Sequence, residues 1–153
     1  MKHKKELFGL LLFSGCALIS YRILLSKHPV EIVAVHQESH YSDVLVNNFP
    51  FTDKGKIDWW LKNKGMLKEK YDIPEPDSEG NYTISFWDFG DGYVETDGYN
   101  RICFNEMKPP LNCINKNPLM FVMNGRSTGL SFWGDGGIYR VNENGKRVSF
   151  NYD

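Results

Sequence analysis

The stretch Tyr82-Thr83-Ile84-Ser85-Phe86-Trp87 decides the fold class of this chain. Polar and apolar side chains alternate along it, and this two-residue period is typical of a β-strand with one buried face. Shorter stretches downstream are rich in β-branched and aromatic residues and predict further strands, at residues 101–104, 119–123, 130–133, 138–141 and 147–150. The C-terminal half is therefore predicted to be a meander of short antiparallel strands.

Pairs that contain glycine separate these predicted strands. Asn124-Gly125 and Asn144-Gly145 each lie between apolar runs and predict two-residue hairpin turns, which require positive φ. Asp91-Gly92, Asp97-Gly98 and Asp135-Gly136 predict further turns. The spacing of these pairs supports the antiparallel arrangement.

A single helix is predicted upstream of this stretch. Thr52 is a suitable N-cap, and Asp53 follows it in the first turn. Apolar residues then recur at helical spacing, at Ile57, Trp60, Leu61, Leu67 and Tyr71. Gly65 is expected to break or bend this helix, and Pro74 ends it. With strands predicted at residues 30–35 and 43–46, the fold class is α+β, one main helix on a mostly antiparallel sheet.

The N-terminal 28 residues predict a membrane anchor. Residues 7–25, LFGLLLFSGCALISYRILL, would span roughly 28 Å as a helix, close to the ~30 Å hydrocarbon core of a bilayer. Eleven Leu, Ile or Phe residues favour insertion by roughly 3–6 kcal/mol, whereas Arg22 opposes it by at most ~3 kcal/mol. The prediction is an uncleaved transmembrane signal anchor within residues 1–28, in contact with membrane lipid through residues 7–25, followed by a second domain at residues 29–153.

Two other interpretations of this segment stay open. Phe13-Ser14-Gly15-Cys16 is close to the box at which lipoprotein signals are cut, which would place lipid on Cys16. The residues after Cys16 remain apolar as far as Leu25, however, where a lipoprotein usually becomes polar. Cleavage after Ala17 by the ordinary signal peptidase is the other alternative.

The distribution of charge predicts the orientation in the membrane. Residues 1–28 contain five Lys or Arg and one acid, a net charge of +4, which leaves 13 basic and 18 acidic residues and a net charge of −5 for residues 29–153. Because positive residues stay on the cytoplasmic side, the N-terminus is predicted in the cytoplasm and residues 29–153 in the periplasm. The whole chain, at −1, is not a globally basic nucleic-acid binder.

The lysines of the predicted helix allow two interpretations. Lys54, Lys56, Lys62, Lys68 and Lys70 fall outside its apolar positions. This pattern is typical of a solvated helix face. Contact with anionic lipid headgroups is the alternative.

Motifs for catalysis or metal binding fail on their context. Gly125-Arg126-Ser127-Thr128-Gly129 matches G-x-S-x-G, but a strand is predicted after it rather than a helix, and the last histidine of the chain is His40. His36 and His40 have a metal-ligand spacing only on a helix, and they are predicted to be surface or edge histidines. No enzyme activity, cofactor or metal site is therefore predicted. The alternative is an envelope enzyme with an irregular metal site, for which Asp88, Asp91, Glu95 and Asp97 are the ligands to consider.

Several stretches of the sequence, taken together, resemble those of one known protein family. They are Ile32–His36, Tyr41–Val46, Asn48-Phe49-Pro50, Asp58-Trp59-Trp60-Leu61, Tyr71–Pro74 and Trp87–Gly92, with the N-terminal apolar segment and two late cysteines. Over nearly the whole chain, the sequence resembles an enterobacterial family catalogued as domain of unknown function 943, whose members are small inner-membrane proteins. The resemblance implies a bacterial envelope location, and it implies no activity.

A disulfide between Cys103 and Cys113 is predicted from the location. If the domain is periplasmic, these are its only two thiols, because Cys16 lies in the apolar segment. Lys108-Pro109-Pro110 can turn the chain back between them. Closing a loop of about 11 residues contributes roughly 2.5–3 kcal/mol.

One acidic, aromatic segment is the candidate binding surface. Between Ile73 and Asn100 there are seven Asp or Glu and no Lys or Arg. The residues proposed to contact a partner are Trp87, Asp88, Asp91, Tyr93, Glu95 and Asp97. Such a surface favours capture of a basic protein or peptide, as in an immunity-type protein or an envelope accessory subunit. The alternative is that these acids form turns and the aromatic residues fill the core.

Overall fold

The fold is that of a computed structural model, which describes residues 4–6, 9, 12–19, 28–142 and 144–150. Its main elements are β1 (Glu31–Glu38), β2 (Tyr41–Asn47), helix α1 (Asp53–Tyr71), β3 (Tyr82–Asp88), β4 (Arg101–Cys103), β5 (Cys113–Asn115), β6 (Pro118–Gly125), β7 (Gly129–Gly134), β8 (Gly137–Val141) and β9 (Arg147–Phe150). The predicted α+β class, with one main helix and a mostly antiparallel sheet, is confirmed.

Seven strands form one sheet in the order β1-β2-β3-β6-β7-β8-β9, and β4 pairs with β5 separately. All of the pairings are antiparallel except that of β2 with β3, which is parallel. Parallel neighbours need a long crossover, and α1 provides it.

Helix α1 begins and ends at well-defined caps. The Thr52 Oγ1 atom accepts a hydrogen bond from the Gly55 amide at 3.0 Å, as expected for an N-cap. At the other end Asp72 adopts φ 55°, its amide donates to the Lys68 carbonyl at 3.1 Å, and the Ile73 amide donates to the Leu67 carbonyl at 3.4 Å. The helix continues through Gly65, so the expected break is wrong. A single Gly costs only about 1 kcal/mol in a helix, and the packing of Ile57, Trp60 and Leu67 outweighs that cost.

The helix covers the first face of the sheet. Ile57, Trp60 and Leu67 of α1 pack against side chains from alternate positions of four strands, which are Val44, Val46, Ile84, Phe86, Met120, Val122 and Phe132. Trp60 meets Phe132 edge to face at 5.4 Å between ring centroids. This main core explains the two-residue period seen in residues 82–87.

The second face of the sheet is covered over only part of its width. Leu45 and Trp87 are buried there, and Phe121 is half-buried, beneath Ile114 of β5 and Phe104, the residue that follows β4. Phe121 lies opposite Trp133 in the β6–β7 register, and Trp133 is 39% exposed. Tyr41 of β2 and Met123 of β6 are also exposed on this face. The covered part is therefore the end of β2, β3 and β6 that carries Leu45, Trp87 and Phe121, while the other end of these strands and β7 stay open.

The turns differ in part from the prediction. Asn124 and Gly125 belong to β6, and the turn that follows is Arg126-Ser127-Thr128, so the predicted two-residue turn is wrong there. Gly129 closes this three-residue loop with φ +69°, which L-residues rarely adopt. Asp135-Gly136 forms a two-residue turn, since Gly134 pairs with Gly137. Near Asn144-Gly145 the loop is longer, from Asn142 to Lys146.

The predicted transmembrane helix at residues 7–25 falls largely outside the described residues. Within that range the structure describes residues 9 and 12–19, which are helical. No helix in the described part of the chain has both the length and the apolar character required to cross a membrane.

Candidate binding surface

Trp87, which was predicted to contact a partner, is buried inside the domain. It is 5% exposed and packs edge to face against Phe121 at 5.7 Å. Its Nε1 atom donates a hydrogen bond to Asp43 Oδ1 at 2.7 Å. Burial raises the pKa of Asp43, although this hydrogen bond and the nearby His36 oppose the rise. Trp87 is thus a residue of the second core.

Tyr93 and His36 hold the covering layer on the sheet. His36 Nε2 and the Tyr93 hydroxyl lie 2.8 Å apart, and His36 Nδ1 pairs with the Glu106 carboxylate. The imidazole also stacks on Phe104 at 3.7 Å. The side chain of His36 is only 11% exposed, so it is not a surface histidine, although it does lie in an edge strand, β1, as the alternative in the prediction stated. Glu106 lies 70 residues from His36, so no local pattern in the sequence links the two residues.

This His36 cluster has little room for a ligand. The adjoining cavity, lined by His36, Asp43, Cys103 and Glu106, has a volume of about 70 Å³. A water molecule takes about 30 Å³ in the liquid, so the cavity holds at most one or two. The cluster joins β1 to the disulfide loop, and its geometry offers no space for a substrate.

The disulfide that holds this loop is present. Cys103 and Cys113 are bonded, with their Cα atoms 4.0 Å apart, and they pair across β4 and β5. A strand was predicted at Cys103, in residues 101–104, but none was predicted at Cys113. The three-residue strand Cys113–Asn115 lacks the length to show any period.

The four acidic residues of the predicted surface divide into two groups. Asp97 accepts hydrogen bonds from the amides of Tyr99 and Asn100, each at 3.0 Å, and these bonds hold its pKa below the usual value. Asp88 accepts from the Asn117 side chain at 3.4 Å. Asp91 and Glu95 are exposed. The structure therefore places Asp91 and Glu95 on the surface, while Asp88 and Asp97 also stabilise local structure.

A groove lies on the open half of the second sheet face, and we call it the sheet groove. Its volume is about 520 Å³, within the range of roughly 300–1,000 Å³ typical of ligand sites. Its floor is formed by side chains of five strands, among them Tyr41, Thr83, Met123, Ser131, Trp133 and Ile138. His40, Asp77, Asn81 and Arg140 add polar groups to its lining. No motif in the sequence predicted this groove, because its residues come from separate strands and loops.

The sheet groove has a fixed polar side. Asp77 accepts hydrogen bonds from the Glu79 and Asn81 amides at 2.9 Å and from the Asn81 side chain at 3.0 Å. These bonds lower the pKa of Asp77, the Asn81 side chain having the largest effect. The side chain of Asn124 in β6 donates a hydrogen bond to the Gly80 carbonyl at 2.8 Å. This bond holds the loop of residues 77–81 on the sheet.

Trp133 is also oriented by its surroundings. Its Nε1 atom donates to Ser131 Oγ at 3.1 Å. The indole is therefore held in place while 39% of the residue stays accessible. A pre-oriented aromatic side chain in a concave site is the kind of residue that contributes most to protein interfaces.

Motifs for metal binding or hydrolysis do not come together in the structure. Among the residues that the structure describes, no group of three or more His, Cys, Asp or Glu could hold a metal ion. Ser127 lies in the turn between β6 and β7, and the element that follows it is strand β7 rather than the helix that a nucleophile elbow requires.

The fold and the sheet groove define a small α+β domain, stapled by one disulfide, that has an open aromatic groove on one face of its sheet. The chain belongs to the family described as "Enterobacterial putative membrane protein (DUF943)", which matches residues 1–151. The resemblance noted from the sequence is thereby confirmed. No curated protein and no solved structure matches the chain.

Proposed function

We propose that this chain is a single-pass inner-membrane protein that presents a protein-binding domain to the periplasm. Residues 7–25 are the membrane span, the N-terminus is cytoplasmic, and residues 29–153 lie outside the cytoplasm. The apolar run, the +4 charge of residues 1–28 and the family description support this arrangement. The Cys103–Cys113 disulfide also supports it, because structural disulfides persist in oxidising compartments.

The observation that carries the binding proposal is the sheet groove. Exposed Met123 and Trp133 give it apolar contact area, and about 520 Å³ accommodates several side chains of a partner. The loop that contains Asp91 and Glu95 covers the other half of the same sheet face, since its Phe89 and Tyr93 pack on the second core. An aromatic groove lined by the Asp77 carboxylate, on the same sheet face as the loop that carries Asp91 and Glu95, fits a basic protein or peptide. An immunity-type protein or an envelope accessory subunit would use such a surface without catalysis.

The first prediction concerns topology. Alkaline phosphatase fused after Asp153 is expected to be active in cells, because this reporter folds only where its disulfides form. A cytoplasmic reporter at the same position is expected to be inactive. The opposite pair of activities would refute the proposed orientation.

One substitution distinguishes the proposed transmembrane anchor from the lipoprotein alternative. Cys16→Ala is expected to leave the membrane-bound fraction and the mass of the protein unchanged. A change in mass, or release from the membrane, would instead show that Cys16 carries lipid.

The second prediction concerns binding at the sheet groove. A photo-crosslinking amino acid placed at Trp133 or Met123 in cells is expected to give one discrete crosslinked product. The same amino acid at Lys62, an exposed position of α1, serves as the control and is expected to give none. Equal products from all three positions, or none from the groove, would contradict the proposal.

Charge reversal tests the nature of the partner. Asp91→Lys combined with Glu95→Lys is expected to reduce the crosslinked yield from Trp133 severalfold, because exposed charges on the binding face accelerate association with an oppositely charged partner. Both carboxylates are exposed, so the circular dichroism and the melting temperature should not change. An unchanged yield would show that the partner is not recognised by its positive charge.

A further inference from the structure

A second and larger groove lies beside helix α1, and we call it the helix groove. Its volume is about 980 Å³. It is lined by residues 28–30, which precede β1, by Ile32 of β1, and by the loop at residues 48–51. The proposed binding function does not use this groove.

The opposite wall of the helix groove is a single stripe of α1. Trp59, Asn63, Met66 and Lys70 recur at helical spacing along it. The Lys70 Nζ atom lies 5.5 Å from the centre of the Tyr71 ring, which also lines the groove. Trp and Tyr together with Lys are the residues enriched where proteins meet the membrane–water interface.

Phe51 is the most unusual residue of this surface. It is 98% exposed, although it follows Pro50 in a loop whose other aromatic residue, Phe49, is buried against Phe86. A fully exposed Phe next to an apolar groove forms a contiguous apolar patch. Patches of this kind mark protein or membrane contact sites.

The covalent chain restricts what can lie against this surface. His28, which lines the groove, follows Leu25 by three residues, and three residues span at most about 10 Å. If residues 7–25 cross the bilayer, the helix groove begins within that distance of the end of the span. The nearest large apolar phase available to it is then the membrane itself.

We propose that the helix groove and Phe51 dock onto phospholipid in the outer leaflet of the membrane that holds residues 7–25. Phe51, Trp59 and Met66 contact the upper part of the acyl chains, while Lys70 lies near the phosphate groups. This inference rests on the membrane anchoring proposed above and extends it. The helix groove is on the α1 side of the sheet, whereas the sheet groove is on the opposite face. Docking by α1 therefore turns the sheet groove away from the membrane, toward a partner.

Quenching of tryptophan fluorescence by brominated phospholipid tests this inference. The full chain is reconstituted in vesicles of brominated phosphatidylcholine with phosphatidylglycerol, and in matched vesicles without bromine. Emission of the wild-type protein is expected to be quenched by the brominated lipid. Trp59→Phe should lose most of this quenching, and Trp133→Phe, the matched control on the other sheet face, should retain it.

A second variant covers the case in which Trp59→Phe disturbs the core, because Trp59 also packs against Phe86. Phe51→Trp adds a tryptophan at an exposed loop position and is expected to increase the quenched fraction. Equal quenching in the Trp59→Phe and wild-type proteins, together with no gain in Phe51→Trp, would overturn the inference. A defined dimer in which neither position is quenched would also overturn it, and would assign the groove to a second copy.

Flotation of the same vesicles separates the two proposals. If the protein does not float with the vesicles, the anchoring itself is wrong. If it floats and resists carbonate extraction but shows no quenching at positions 51 and 59, the anchoring stands and only the docking of the helix groove is wrong.

Discussion

Replacing Cys103 and Cys113 together by serine is expected to lower the free energy of unfolding by about 2.5–3 kcal/mol. The bond closes a loop between residues ten apart, and losing it returns conformational freedom to the unfolded chain. The same loop contains Phe104 and Glu106, which hold His36. Denaturant unfolding of the full chain in detergent, followed by tryptophan fluorescence, measures the loss.

Two controls accompany this measurement. Cys16→Ser removes the free cysteine and should leave the midpoint of unfolding unchanged. A reducing agent should destabilise the wild-type protein by about as much as the double substitution, and it should have no further effect on the double variant. A double variant as stable as the wild type would show that the bridge contributes nothing to stability.

Replacing Asp53 by alanine is expected to have a similar effect, about 2–3 kcal/mol, because one carboxylate joins the helix to the β7–β8 turn. It accepts hydrogen bonds from the amides of Asp135 and Gly136 at 3.0 and 2.8 Å and from the Tyr139 hydroxyl at 2.8 Å. Bonds to charged groups contribute about 1.5–3 kcal/mol each, less where water can replace them. Thermal or denaturant unfolding measures the loss.

Asp58→Ala is the matched control for this substitution. Asp58 lies five residues further along α1 and is not among the carboxylates bonded to the β7–β8 turn. Its removal should change the free energy of unfolding by less than about 0.5 kcal/mol. Equal losses for the two variants would show that the bonds of Asp53 have no special role.

The contribution of Asp53 depends on pH. Burial raises the pKa of Asp53, but hydrogen bonds from Tyr139, Gly136 and Asp135 and the charge of Lys56 outweigh it, so that the net pKa lies below 3.8. A carboxyl with a lowered pKa in the folded state stabilises the protein above its unfolded pKa, and this stabilisation is lost as the pH falls through the folded pKa. The difference in stability between the wild type and Asp53→Ala should therefore shrink below about pH 4.

The close approach of Asp53 also explains two glycines of the β7–β8 turn. A Cβ atom at Gly134 would overlap the Asp53 carboxylate, and one at Gly136 would lie 2.8 Å from the Tyr139 hydroxyl. Asp135-Gly136 was predicted to be a turn because an Asp-Gly pair favours the backbone conformation of turns. The pair gives no indication that the carboxylate of Asp53, 82 residues from Asp135, occupies the space beside these glycines.

Local patterns in the sequence predicted most elements, because they depend on neighbouring residues. The alternation in residues 82–87 and the spacing of Ile57, Trp60 and Leu67 each reflect burial of one face. The parallel pairing of β2 with β3 was not predicted, since a pairing partner is not encoded in the period of a strand. Asn124-Gly125 was predicted to be a turn because this pair favours positive φ. The register of β6 with β7 places the turn after it.

The candidate site was harder to predict than the fold. The side chains of Trp87 and Trp133 lie on the same face of the sheet. Trp87 is covered by the β4–β5 layer, whereas Trp133 is not. The sequence gives no sign of where that layer ends. The acidic residues were identified by composition, which does not separate Asp97, used in a turn, from exposed Asp91.

The crossover from β2 through α1 to β3 has a consequence during synthesis of the chain. Val44, Leu45 and Val46 of β2 are fully buried in the finished fold, but their neighbour β3 follows only after the helix has been made. At about 5–20 residues per second, the interval between Val44 and Phe86 lasts roughly 2–8 s. During that time the β1–β2 hairpin presents an unpaired apolar edge, and such edges promote aggregation. Factors that cover this hairpin while the chain is being made are therefore expected to raise the yield of folded protein.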